Sequence, residues 1–139
     1  MDTQLKELLS IAQQARERAY ARYSGYKVGA AVLTGSGKVY HGCNVENASY
    51  GLTVCAERVA IFKAVSEGER EITAIAIVAG ETEIPRPCGA CLQVMAEFAP
   101  RDAPLPILVA SADGKHEIHA LADYLPMPFH FESEVESEK

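Results

Sequence analysis

Three cysteines and one glutamate are spaced so that they can act on a single point. Cys88 and Cys91 stand three positions apart in Pro87-Cys88-Gly89-Ala90-Cys91. At a helix start that interval turns both thiols the same way, and the helix N-terminus favours their ionised form. Cys55 opens another apolar run, and Glu57 follows it by two positions. Soft thiolate ligands select zinc, which normally takes four partners. Cys55, Cys88 and Cys91 as metal ligands leave one position for water. Glu57 lies close enough in sequence to serve that water without binding the metal, so it is the expected catalytic acid and base.

Other uses of the cysteines stay open on spacing alone. Cys43 would complete a closed structural site of four thiolates, but that leaves the placement of Glu57 unused. A redox dithiol at Cys88 and Cys91 explains neither Cys55 nor Glu57. Unliganded thiols would simply be small apolar groups in the core. The charged opening from Met1-Asp2 is unlike a secretory signal, so a cytoplasmic, reducing setting is expected rather than two disulfides.

Two helix starts must therefore converge. Leu5, Leu8, Leu9, Ala12, Ala15 and Ala19 make one helical stripe over residues 3 to 22, broken by Tyr23-Ser24-Gly25-Tyr26. Val28 to Leu33 and Lys38 to Cys43 read as a hairpin across Thr34-Gly35-Ser36-Gly37. Asn44 to Thr53 is a polar loop, and Cys55 to Val65 returns to helix. Ile72 to Ala79 is nearly all apolar, as suits a strand covered on both faces. Pro85 and Pro87 enforce an extended approach to a helix at Gly89 to Phe98. A strand at Ile107 to Ala110, a turn at Asp113-Gly114, an edge strand at Glu117 to His119 and a helical turn at Leu121 to Leu125 complete the chain. This order, α-β-β-α-β-α-β-(β)-α, predicts an α/β fold: a three-layer α-β-α sandwich around a mixed five-stranded sheet. Residues 1–131 form the expected single domain. Residues 132–139 carry five charges and little to bury, and are expected to fray.

The 139 residues carry 13 basic and 19 acidic side chains, a net charge of −6, with 48% apolar residues. A long nucleic acid would meet repulsion, since basic residues come singly and the densest group, Arg16, Arg18 and Arg22, is interrupted by Glu17. No apolar run reaches the roughly 18 to 20 residues that span a bilayer. A small substrate, with neither nucleic acid nor membrane as partner, fits this balance.

The chain resembles the small zinc-dependent cytidine deaminases, in their homotetrameric branch, from about Tyr23 to Phe129. Tyr23-Ser24 with Tyr26-Lys27-Val28-Gly29-Ala30-Ala31 is similar to that family's first strand, and Gly42-Cys43-Asn44-Val45-Glu46-Asn47-Ala48-Ser49-Tyr50 to its substrate loop. Cys55-Ala56-Glu57-Arg58 and Pro87-Cys88-Gly89-Ala90-Cys91 match its zinc motifs. The resemblance implies one zinc per subunit and a cytidine deaminase-like fold. It also implies conversion of free cytidine and 2′-deoxycytidine to their uridine counterparts and ammonia, in pyrimidine salvage. Asn44 and Glu46 would bind ribose, Tyr26 would pack near the base, and the Ala56 backbone would contact the pyrimidine. Ala48, Ser49, Tyr50 and Phe129 would serve sites of neighbouring subunits, and Arg58 would hydrogen-bond the zinc cysteines and offset their charge. Glu57 would take a proton from water as C4 is attacked, deliver one to N3, and protonate the departing amine.

Three positions depart from that pattern. Arg22 stands where proline is common, Arg86 where a small residue is usual, and Leu92 where arginine commonly follows the second cysteine of the pair. Competing functions are deamination of a related nucleoside, such as a blasticidin-type antibiotic, editing of a polynucleotide, and a non-enzymatic role with structural zinc.

Overall fold

Val28–Thr34 (β1) and Val39–Cys43 (β2) form the expected antiparallel hairpin, pairing Gly29 with Cys43 through Leu33 with Val39. In the computed structural model, which describes residues 1–131, three more strands extend it: Ile72–Ala79 (β3), Pro106–Ala110 (β4) and His116–Ala120 (β5). The expected frayed segment, 132–139, lies outside the described residues. The strand order is β2-β1-β3-β4-β5, and every neighbouring pair is antiparallel except β3–β4. The mixed five-stranded sheet read from the sequence is present.

Side-chain alternation divides the core into two layers. Ala30, Val32, Ile75, Ile77, Ile107 and Val109 face the helices Ala56–Ser66 (α2) and Gly89–Phe98 (α3), where they meet Ile61 and Met95. Ala31, Ala74, Ala76, Val78 and Leu108 face Thr3–Arg16 (α1), against Leu8 and Ala12. The alanines on that face let α1 come close. A Cβ at Gly29 would lie 2.1 Å from the Ala12 carbonyl oxygen.

The first helix is shorter than the periodicity predicts: it ends at Arg16, not near Arg22. The Tyr20 N–H donates to the Asn44 carbonyl at 3.0 Å, and the Tyr20 carbonyl accepts from the Glu46 N–H at 2.9 Å. This bridge to Val45 takes the backbone that another helical turn would need. The other elements match to within a residue or two. A short helical turn at Tyr50–Leu52 lies inside the loop expected at 44–53, and Leu121–Tyr124 (α4) closes the described fold.

The sheet positions α2 by close contact. A Cβ at Gly42 would sit 2.6 Å from the Ala60 amide nitrogen and 2.9 Å from the Ala56 carbonyl oxygen. Gly42→Ala is therefore expected to push α2 away from β2 and cost about 2 kcal/mol, in the range typical of overpacking. Urea denaturation checks this, and an unchanged midpoint contradicts so tight a seat.

Candidate active site

Cys55 and Cys88 are the N-caps of α2 and α3, both in extended backbone immediately before the first helical residue. Pro87 helps set the second cap by fixing its own φ and removing a donor. The Cys88 sulfur accepts from the Cys91 N–H at 3.4 Å, so the cap itself turns the pair toward each other. Cys88 and Cys91 Sγ are 3.4 Å apart, Cys55 and Cys88 Sγ 3.9 Å, and all three sulfurs lie within 4.8 Å of one another. Sulfurs around a tetrahedral zinc lie about 3.8 Å apart when Zn–S is about 2.3 Å. The donor set thus fits a soft divalent ion with little rearrangement. Cys43 is outside this group, which argues against a site of four thiolates.

Electrostatics are tuned around these thiols. A hydrogen bond shared with Cys91, followed by one from Arg58, lowers Cys55 to about 5. Cys91 moves the opposite way, raised by that same Cys55 bond and then by burial. Arg58 Nη2 donates to Cys55 Sγ at 3.5 Å, while its Nε is buried without a hydrogen-bond partner among the described residues. That is the placement expected of a cation kept beside thiolates. Glu57 is only 5% exposed, and burial raises its carboxyl to about 7 from an ordinary value of 4.5.

A cavity of about 300 Å³ opens onto Cys55, Glu57 and Cys88, and its wall continues through Tyr26, Asn44 and Glu46. This is the size of a small-ligand pocket. A larger hollow, about 430 Å³, lies beneath Leu105, Leu125 and Pro126 and holds none of these groups. Asn44 and Glu46 are both buried and both occupied. Asn44 Oδ1 accepts from the Val28 N–H at 2.9 Å, and its Nδ2 donates to the Tyr26 carbonyl at 2.8 Å. Glu46 Oε1 accepts from the Tyr23 and Ser24 N–H groups at 2.9 and 3.1 Å, and Oε2 accepts from the Ser24 hydroxyl. These bonds fold the Tyr23–Val28 segment over the cavity and hold Glu46 ionised, with the Ser24 hydroxyl as the largest cause.

The remaining candidates divide. Tyr50, expected to serve a neighbouring subunit, lines the cavity of its own chain. Ala56 is fully buried directly before Glu57. Ala48 and Ser49 are exposed and outside the cavity wall, and Phe129 is 71% exposed and also outside it. Two residues escaped the sequence reading. Ser24 holds Glu46, and Gln93 clamps the Phe129 backbone, donating from Nε2 to its carbonyl at 2.8 Å and accepting from its N–H at 3.2 Å.

Residues 2–105 match the family described as the cytidine and deoxycytidylate deaminase zinc-binding region. The chain belongs to that family. Curated relatives include a cytidine deaminase of Halalkalibacterium halodurans, 49% identical over 129 residues, covering 93% of this chain and 95% of that one. Another, from Sporosarcina psychrophila, is 47% identical over 126 residues and 90% of each chain. The crystal structure of a Burkholderia pseudomallei cytidine deaminase superposes with a TM-score of 0.84 at 46% identity, covering 93% of this chain and all of that one. That of a Mycobacterium tuberculosis cytidine deaminase gives 0.79 at 39% identity, over 94% and 100%.

Within the deaminase family the metal is zinc, and the three-thiol cluster is its candidate site here. The Leu92 departure has a packing explanation. Its side chain is 7% exposed and belongs to the core beneath α3, with Met95 and Leu105. Arg86 instead reaches Glu117, its Nη1 donating to Oε1 at 2.7 Å. Nothing in the structure explains Arg22 beyond its guanidinium lying 5.4 Å from the centre of the Tyr23 ring.

Proposed function

We propose that this protein deaminates free cytidine and 2′-deoxycytidine by hydrolysis, giving uridine or 2′-deoxyuridine and ammonia. The observation that carries this reading is the sharing of one cavity by a buried carboxyl, Glu57, and two of the three clustered thiols, Cys55 and Cys88. Cys55, Cys88 and Cys91 would hold zinc, which supplies the Lewis acidity that makes water a nucleophile near neutral pH. Glu57 takes the proton of the attacking water, and its carboxyl then donates to N3 of the pyrimidine. As the C4–N bond breaks, Glu57 takes the proton left on the added hydroxyl and passes it to the departing amine, so that C4 becomes a carbonyl and ammonia leaves. A carboxyl raised to about 7 is suited to both directions of transfer.

Asn44 and Glu46 are read as the ribose-binding pair, Tyr26 as the aromatic flank of the base, and the Ala56 backbone as a pyrimidine contact. Glu46 keeps acceptor capacity on Oε2 beside the Ser24 hydroxyl. Glu46→Gln replaces one acceptor oxygen by an amide donor and is expected to raise KM for cytidine about tenfold, with a smaller fall in kcat. Steady-state kinetics decide this, and an unchanged KM contradicts the ribose role.

We also place the protein in a cytoplasmic salvage role as a homotetramer, with Ala48, Ser49, Tyr50 and Phe129 offered to neighbouring sites. Exposure of Leu52, Phe62 and Phe129 supports self-association. Free thiols poised for metal support a reducing compartment. Among the described residues, no helix is long and apolar enough to cross a membrane. Analytical ultracentrifugation is expected to give four times the chain mass, and a monomer at assay concentration contradicts it. A substrate panel tests the activity itself. Comparable turnover of cytidine and 2′-deoxycytidine is expected, well above that of a blasticidin-type antibiotic or single-stranded DNA. Reversal of that ranking overturns the proposal.

A further inference from the structure

We propose that Arg86 is a positioning residue for the metal site, tying the loop that carries Cys88 to β5 through Glu117 and His119. The inference rests on the zinc reading above and extends it to residues outside the cysteine motifs.

Cys88 is the exposed thiol of the three. Arg58 donates to Cys55 from α2, whereas Cys88 ends an irregular segment that leaves β3 at Gly80. The start of that segment is pinned to the β4–β5 turn. The carbonyls of Gly80 and Glu81 accept from the Ala112 and Asp113 N–H groups, and the Thr82 carbonyl accepts from Lys115 Nζ at 3.3 Å. Nearer the cysteine, Arg86 is the tether.

Its partner is itself fixed. Glu117 Oε1 accepts from Arg86 Nη1 at 2.7 Å and lies 2.7 Å from His119 Nε2. The His119 ring meets the Tyr124 ring edge-on, 5.5 Å between centroids. The Arg86 bond, then the His119 bond, holds Glu117 down to about 2, so the carboxylate stays charged across the neutral range. Pro85 and Pro87 flank Arg86 and restrict the backbone on both sides, so a fixed guanidinium limits where Cys88, two residues on, can move. Arg86 also borders the catalytic cavity, placing this brace at the rim of the site.

Both partners are partly exposed, with side chains 54% and 36% accessible, so the effect is one of a few-fold. The test follows transfer of zinc from loaded protein to excess chromogenic chelator at low ionic strength. The proteins are wild type, Arg86→Ser, Glu117→Gln, the double variant and Arg86→Lys. Each of the first two substitutions is expected to speed release about two- to five-fold. The double variant should be no faster than either single, and Arg86→Lys should recover part of the wild-type rate. Urea midpoints of the metal-free proteins should agree, separating local restraint from global stability. Wild-type release rates in the variants, or additive acceleration in the double, overturn the role of Arg86 alone. A wild type that binds no zinc overturns the underlying metal reading as well.

Discussion

Glu57→Gln is expected to leave zinc content unchanged and to reduce cytidine turnover about a thousandfold or more. The substitution keeps the shape of a side chain that is almost wholly enclosed, so neither a cavity nor a missing ligand complicates the result. What disappears is the capacity to take and return a proton at the cavity wall. General acid–base groups contribute about a hundred- to ten-thousandfold, and here one carboxyl is assigned both transfers. Burial makes it suited to both, because a carboxyl raised to about 7 is neither a spent base nor a weak acid near neutrality. Single-turnover kinetics at matched zinc occupancy give the measurement. Turnover within tenfold of wild type would remove Glu57 from the chemistry.

The second large effect is expected at Cys91. Its side chain is fully buried in the α2–α3 core layer and its sulfur stands 3.4 Å from that of Cys88. Cys91→Ala deletes a ligand and a packed core atom together. Zinc content should fall far below that of wild type, turnover should be lost, and Tm should drop by about 10 °C or more, since metal binding stabilises only the folded chain. Cys43→Ala is the matched control, because Cys43 is a free thiol of β2 outside the cluster. It should retain zinc and turnover. Equal zinc loss in the two variants would restore the closed four-thiolate site and contradict an open catalytic one.

The parts of this site legible in the sequence are those set by local rules. Cys88 and Cys91 share a helix start, and Pro87 announces that start. The runs Val28–Thr34 and Ile72–Ala79 are apolar enough to be interior strands before any partner is known. The illegible parts depend on distant contacts. Residues 17 to 22 continue the helical stripe of α1, yet Tyr20 is drawn into a bridge with Val45 that no window of sequence contains. Asn44 and Glu46 read as a ligand-binding pair, but their hydrogen bonds to the Tyr23–Val28 segment show that they also build the wall they contribute to. Leu92 is a departure only when the motif is read alone; beneath α3 it is an ordinary core residue. Gln93 reaches Phe129 across 36 positions, and Arg86 reaches Glu117 across 31, so neither pairing leaves a local signal.

The thiol cluster and Glu57 are together proposed to perform hydrolytic deamination of a free nucleoside. The most direct measurement is simultaneous quantification of ammonia and uridine from cytidine, using purified protein whose zinc content is known. Equal amounts of the two products, formed catalytically and abolished by removal of the metal, are predicted. Absence of both products from fully zinc-loaded wild type would contradict the account.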